Sequence, residues 1–481
     1  MDTQITAFIL DVFGNDPPPE IPGNLESVYR GLGRPVDVQR VDGPPGEDLL
    51  TRLHRQSEGS EWVLIGHGDS AFYSLHECRR LVEAVLKYDN DWGFAENHPP
   101  GIVFDMIRRS ALPVMENLRA KGKLPYTRPF LGEILLQDVN LFDLENLYSD
   151  VNLRTLRLSF FPDSPQDRET LRAIAGLLDG KAWNVDLDWN ALAARILAHR
   201  HLLRVHPKYW EIETSTRCLQ RCAMCPKTTL GDAAPPAFMD PATFDALVGR
   251  ICQFSPKPVL ALTGLGDAAS HPNFLGILAA ALAHPVAEVL VETSGADFDL
   301  SLADQIMALP GGERLSLIFS LDAVDPKLHA ELRPGERPLS AFLETVEYLL
   351  LRRPANTWVQ AVKMNENFEH LVAFHKHFQR LTPNIIIQKY NPWRGLLPER
   401  RLHPAVPFDR IDCWHLKRDL VIRVDGTVPV CKQDLRNEHR LGNAIHEDLE
   451  TIWARGQAHF EKHLAGWEFC RGCDEHYTYN Y

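Results

Sequence analysis

Apolar positions along the chain fall into two rhythms: short dense runs, and longer stretches where they recur every third or fourth residue. The first is the pattern of buried strands, the second that of amphipathic helices. Over residues 1–180, Ile5, Phe8 and Ile9 read as a first strand, Trp62–Ile65 as another and Leu75–Tyr88 as a helix, so an α/β domain is predicted. Residues 181–206 read as a helical connector, with Leu192, Ile196 and Leu203 at helical spacing. From 207 to 400 the alternation becomes regular. Strands are predicted at Trp210–Thr214, Val259–Thr263, Glu288–Glu292, Leu315–Leu321, Trp358–Met364 and Ile385–Tyr390. The helices between them are Pro241–Phe254, Phe274–His284, Leu302–Leu309, Leu339–Leu351 and Phe368–Leu381. Asp240 as N-cap and Pro241 at the first helical position give the first of these a strong start. Six βα units predict a partial parallel barrel, where chemistry belongs at the carboxyl ends of the strands. In the last region, 401–481, Leu420–Val424 and Val428–Val430 flank Asp425-Gly426 and predict a hairpin, followed by a helix over Leu449–Leu464.

Composition narrows the setting. A chain of 481 residues exceeds what one compact core usually spans. Hydrophobic residues at 44% and charged residues at 24% are those of a soluble globular protein. A net charge of -13 argues against a general nucleic-acid binder and against an anionic membrane surface. No apolar run reaches bilayer length, and the N-terminus, with Asp2 and no basic residue, is not a secretory signal. The expected compartment is the cytoplasm.

Nine cysteines, unevenly placed, change the picture. Cys218, Cys222 and Cys225 sit together; Cys413, Cys431, Cys470 and Cys473 lie near the C-terminus. Cys78 and Cys252 stand alone and read as small buried residues. In a reducing compartment, clustered cysteines point to metal ligation or redox chemistry. Three thiolates leave one iron of a four-iron cluster open, and a catalytic metal needs such an open position; a zinc site short of one ligand is the alternative.

Cys218-Leu-Gln-Arg-Cys222-Ala-Met-Cys225, directly after the first predicted barrel strand, resembles the signature of the radical S-adenosylmethionine (radical SAM) superfamily. The resemblance implies a 4Fe-4S cluster whose fourth iron is chelated by S-adenosylmethionine. One electron then cleaves this cofactor to methionine and a 5′-deoxyadenosyl radical, which takes hydrogen from the substrate. It also implies cofactor contacts from Met224, near the adenine, and from Gly264, Gly266 and Asp267 of Thr263-Gly-Leu-Gly-Asp267, where relatives usually have glutamate. Thr293 of Thr293-Ser-Gly295 and Ser320 of Ser320-Leu-Asp322 follow by the same resemblance; Ser320 reads equally as a buried strand serine. Candidate proton acceptors at strand ends are Asp322, Lys363 and Lys389, each of which reads equally as a solvated or paired charge.

Twelve residues separate Cys413 from Gly426 and four separate Gly426 from Cys431. With Cys470-Arg-Gly-Cys473 this resembles a SPASM domain in its shortened twitch form, which implies a second, fully ligated 4Fe-4S cluster acting as an electron carrier. A structural zinc on the same four cysteines is the alternative. Gln388-Lys-Tyr-Asn391 and Cys413-Trp-His-Leu416 resemble the spiro-SPASM proteins. The N-terminal domain resembles a nucleotidyltransferase, with Asp69 at a metal-binding position but Leu10-Asp-Val-Phe-Gly14 in place of a glycine-rich loop, and so reads as degenerate. The expected function is a radical SAM oxidoreductase or modifying enzyme. Its substrate would be a small molecule, sugar or peptide, and its electron donor a flavodoxin or ferredoxin. A nucleotide-sugar transferase with an accessory iron–sulfur barrel and a non-catalytic scaffold are the other classes.

Overall fold

The computed structural model describes residues 4–13, 21, 23–46, 48–70, 72–178, 188–231, 235–403 and 410–478. The chain divides into two compact units, Met1–Leu203 and Arg204–Tyr481. Among the described residues no helix is long and apolar enough to cross a membrane.

The first unit is built on a six-stranded sheet. Its strands are β1 (Ile5–Asp11), β2 (Val36–Asp42), β3 (Trp62–His67), β4 (Trp92–Ala95), β5 (Asp105–Arg108) and β6 (Leu144–Leu147), in the order β2-β1-β3-β5-β4-β6. β1 runs parallel to β2 and β3, while β5 is antiparallel to both its neighbours. Strand periodicity sorts the side chains: Phe8 and Leu10 join one core layer with Val63 and Ile65, and Ala7 and Ile9 join the other with Trp62 and Leu64. Helix Leu75–Tyr88 covers the second face, started by the Ser74 hydroxyl accepting from Glu77 N. Of the stretch read as a connector, residues 181–187 lie outside the described residues. The helix that follows, Trp189–Ala198, buries Trp189, Leu192 and Ile196 against Phe72, Ile102 and Phe160, so it is part of this unit's core.

The second unit carries β7 (Tyr209–Ile212), β8 (Val259–Leu262), β9 (Glu288–Thr293), β10 (Leu315–Ser320), β11 (Thr357–Lys363) and β12 (Ile385–Lys389). After them come β13 (Asp419–Ile422), β14 (Thr427–Pro429) and β15 (Arg440–Asn443). Seven strands form one parallel sheet in the order β12-β11-β10-β9-β8-β7-β13, a partial barrel. Outward residues such as Trp210, Leu260, Val291, Phe319 and Val359 pack under the helices. Helix Pro241–Phe254 begins where expected, with the Asp240 carboxylate accepting from Thr243 N at 2.9 Å, a cap of about 1 kcal/mol.

The predicted C-terminal hairpin is corrected. The Asp425-Gly426 turn forms, with Gly426 at φ +80° and Arg423 N donating to Thr427 O at 2.8 Å. Its two arms then part: β13 pairs with β7 in parallel, Ile422 beside Ile212, while β14 pairs with β15. The seventh barrel strand thus comes from the cysteine-bearing tail. A fully buried burial pattern along β13 rewards the central, non-local pairing over a two-stranded ribbon.

Candidate functional site

Inward-facing side chains of the parallel sheet, among them Glu211, Glu292, Ser320 and Gln360, line a cavity of about 540 Å³. Cys218, Cys222 and Cys225 border it, as do Lys389, Lys432 and Glu475.

The three-cysteine loop is held by two main-chain bonds to one segment: Arg221 N donates to Pro334 O at 3.0 Å and Ala223 N to Leu332 O at 2.8 Å. Between these acceptors stands Arg333, whose Nε donates to Asp322 Oδ2 at 2.5 Å and whose Nη1 donates to Cys222 Sγ at 3.5 Å. The other Asp322 oxygen accepts from Val362 N at 2.6 Å. Asp322 is 1% exposed. Of the two readings open for Asp322, proton acceptor or paired charge, this placement is that of a paired charge: it anchors Arg333. No local pattern flags Arg333, because its role depends on a loop more than a hundred residues earlier.

Gly266 lies against the chain leaving β7, where a β-carbon would come within 2.0 Å of Ser215 O. At Gly264 a β-carbon would press on the Glu213 side chain at 2.8 Å. Glycine is required at both for close backbone approach. Asp267 is buried and already occupied: it accepts from Thr293 Oγ1 at 2.8 Å, Ser294 Oγ at 2.6 Å, Ser294 N at 2.9 Å and Ala269 N at 3.0 Å. Asp267 therefore ties the ends of β8 and β9 together, and Thr293 with it. Ser320 Oγ accepts from Gln360 Nε2 at 3.0 Å, and the same nitrogen donates to Glu292 Oε1 at 2.7 Å. Met224 and Trp393 pack beside the apolar cluster that holds Val362 and Tyr390, and Met224, Val362 and Trp393 give the cavity an apolar wall.

The other two proposed proton acceptors part company. Lys363 is exposed at the end of β11 and does not line the cavity. Lys389 does, but its ammonium is held by Glu475 Oε1 at 2.5 Å and Asp474 Oδ1 at 3.1 Å. Burial works against the charged lysine, yet these carboxylates raise its pKa overall. Burial pushes the Glu475 carboxyl up, but Lys432 and Lys389 more than offset it and hold the group at about 2. An acceptor must bind a proton the substrate gives up, and a lysine locked as ammonium cannot.

Cys413, Cys431, Cys470 and Cys473 come together in the C-terminal module. The thiol of Cys431 is raised by burial and then by the other three, and that of Cys470 is pushed up to about 12 by burial and Cys473. Burial likewise raises Cys218 and Cys222 to about 11. All nine cysteines are free of disulfides. Among the described residues no three His, Cys, Asp or Glu side chains gather closely enough for a single metal ion. Two donors nevertheless point at sulfur: Arg333 Nη1 at Cys222, and Glu475 N at Cys473 Sγ, 3.4 Å away. N–H groups aimed at sulfur favour thiolates, the form that ligates an iron–sulfur cluster, so both donor sets fit one.

In the first unit, Asp69 is gripped by Arg128, with Nη1 at 3.0 Å and Nη2 at 2.5 Å, and Arg128 also reaches Asp163 at 2.8 Å. That pairing occupies the carboxylate to which the resemblance assigns a metal. Gly14 lies outside the described residues. Cys78 is a core residue and Cys252 packs beside the barrel core.

Residues 413–474 match the SPASM iron–sulfur cluster-binding domain. That domain stands behind a parallel half-barrel whose first strand runs into a three-cysteine loop, the arrangement that the resemblance to radical SAM proteins implies. An uncharacterized protein from Treponema pallidum (strain Nichols) is 32% identical over 364 residues, 73% of this chain and 99% of that one. The chain belongs to that protein's family. Among solved structures, BtrN in complex with AdoMet and 2-DOIA is similar at 13% identity, covering 56% of this chain and 91% of that one with a TM-score of 0.39. Streptococcus suis SuiB bound to precursor peptide SuiA is similar at 13%, covering 62% and 77% with a TM-score of 0.44.

Proposed function

We propose that this chain is an enzyme that reductively cleaves S-adenosylmethionine and oxidises or modifies a substrate bound in the same cavity. The observation that carries this is the continuity of one cavity from Cys218, Cys222 and Cys225 to Lys432 and Glu475, which neighbour Cys431 and Cys473. A three-thiolate four-iron cluster with S-adenosylmethionine on its open iron supplies one-electron cleavage and hydrogen abstraction.

The residues around it do the rest. Cys218, Cys222 and Cys225 would hold that cluster, with Arg333 compensating thiolate charge at Cys222. The glycine turn at 264–266 brings backbone close to the cavity, and Asp267 fixes the turn to Thr293 and Ser294. Met224 offers an apolar surface to the adenine. The four C-terminal cysteines would hold a second cluster, which would supply one-electron transfer. The test is anaerobic reconstitution, iron and sulfide counting, and assay of 5′-deoxyadenosine with dithionite. About eight irons per chain and deoxyadenosine that vanishes in a Cys218→Ala/Cys222→Ala/Cys225→Ala variant retaining about four irons are expected. Zinc in place of iron, or no deoxyadenosine from loaded protein, would shift the reading to a non-catalytic scaffold.

A further inference from the structure

The reaction above uses the cysteine end of the cavity and leaves the wall beside the seventh strand without a role. β13 lies against β7, so Arg423, just beyond its end, shares a wall with Glu211 on β7. Arg423 is 7% exposed, and its Nη2 has no hydrogen-bond partner among the described residues. A guanidinium taken out of water without a partner is costly, and its planar fork matches a carboxylate or a phosphate. Lys432 lines the same cavity, with Nζ 3.4 Å from Glu475 Oε2. Glu475 is shared with Lys389, and both Lys432 and Arg423 act electrostatically on Glu211. Asp474 also holds Lys389, and Asp419 and Glu292 act on Lys432 and Glu211, so what this wall offers a ligand is the unpartnered Arg423 Nη2 and not a surplus of positive charge.

We propose that Arg423, supported by Lys432, is the subsite that receives an anionic group of the substrate, a carboxylate or a phosphate. This rests on reading the cavity as the reaction chamber. The substrate is then an acid or a phosphate ester, held by its charged end at the strand that the C-terminal module contributes.

The test titrates full-length, cluster-loaded protein by calorimetry with inorganic phosphate and, separately, with glutarate, with and without S-adenosylmethionine. At least one anion is expected to bind, at least tenfold more weakly to Arg423→Gln, with part of the loss recovered in Arg423→Lys. Arg352→Gln, at an exposed helix end, is expected to match wild type. Tighter phosphate binding assigns a phosphate ester and tighter glutarate binding a carboxylic acid; either supports the subsite. If Arg423→Gln does not load its clusters, Lys432→Gln decides, with several-fold weakening expected. Neither anion binding to wild type, or equal binding to wild type and variant, overturns the proposal. Because the titration reads binding alone, failure to form deoxyadenosine would sink the proposed reaction and leave the subsite standing.

Discussion

The two sets of cysteines differ in what surrounds them. Cys218 and Cys225 are half-buried and, with Cys222, open onto a cavity shared with polar side chains from five barrel strands. Cys413 and Cys470 are buried, and Lys432 and Glu475 stand on the cavity wall where their own set does not. Cys222 is as buried as Cys413 and Cys470, and Cys431 and Cys473 are half-buried, so the difference is that three ligands line a chamber and four do not. The first suits a centre that meets a reactant, the second a centre that carries charge and holds a fold together.

The sharpest way to break this comparison is to remove one ligand from each set. A structural metal site lends its binding free energy to folding, on the order of 10 kcal/mol. Cys413→Ala is therefore expected to lose about four irons and to lower Tm by at least about 10 °C. Cys218→Ala, at the rim of the chamber, should shift Tm by no more than about 3 °C while abolishing deoxyadenosine formation. Equal shifts in anaerobic thermal melts would mean that both sets are structural.

The next effect is smaller and concerns how the open set is held. Asp322 and Arg333 form a buried pair, and removing one charge strands the other. Asp322→Asn should cost about 3 kcal/mol in urea unfolding. It should also shift the reduction potential of the loop cluster, read by titration in the electron-spin signal, because Arg333 loses the anchor that aims it at Cys222. A cost below about 1 kcal/mol with an unmoved potential would reduce Arg333 to a bystander.

What the sequence discloses follows the range of the interactions involved. Helices Leu75–Tyr88, Pro241–Phe254 and Leu449–Leu464 are legible to both ends because Ser74, Asp240 and Asp448 cap them locally. The cysteine loop is legible because ligand spacing is local too. β13 is misread because the Asp425-Gly426 signal is local while its true partner, β7, lies some two hundred residues upstream. Asp322 and Lys389 could not be sorted between proton acceptor and paired charge for the same reason: position at a strand end is visible in sequence, but the partners Arg333 and Glu475 are not. Arg423 escapes notice entirely, since only the misread strand brings it to the cavity.

Glu475 joins the two regions, with its N–H on Cys473 and its carboxylate between Lys389 and Lys432 on the cavity. Its pKa falls from an ordinary value of 4.5 to about 2, so the folded state favours the charged form. Stability gained this way is fully present above pH 4.5 and is lost as the pH falls from there through about 2. Glu475→Gln should therefore cost on the order of 2 kcal/mol, and that cost should be the same at pH 6 as at pH 8. A penalty that shrinks toward pH 6 in urea titrations would show that the carboxyl takes up a proton in that window. The two lysines would then hold it less firmly than their distances imply, and the wall between cavity and C-terminal module would itself be open to protonation.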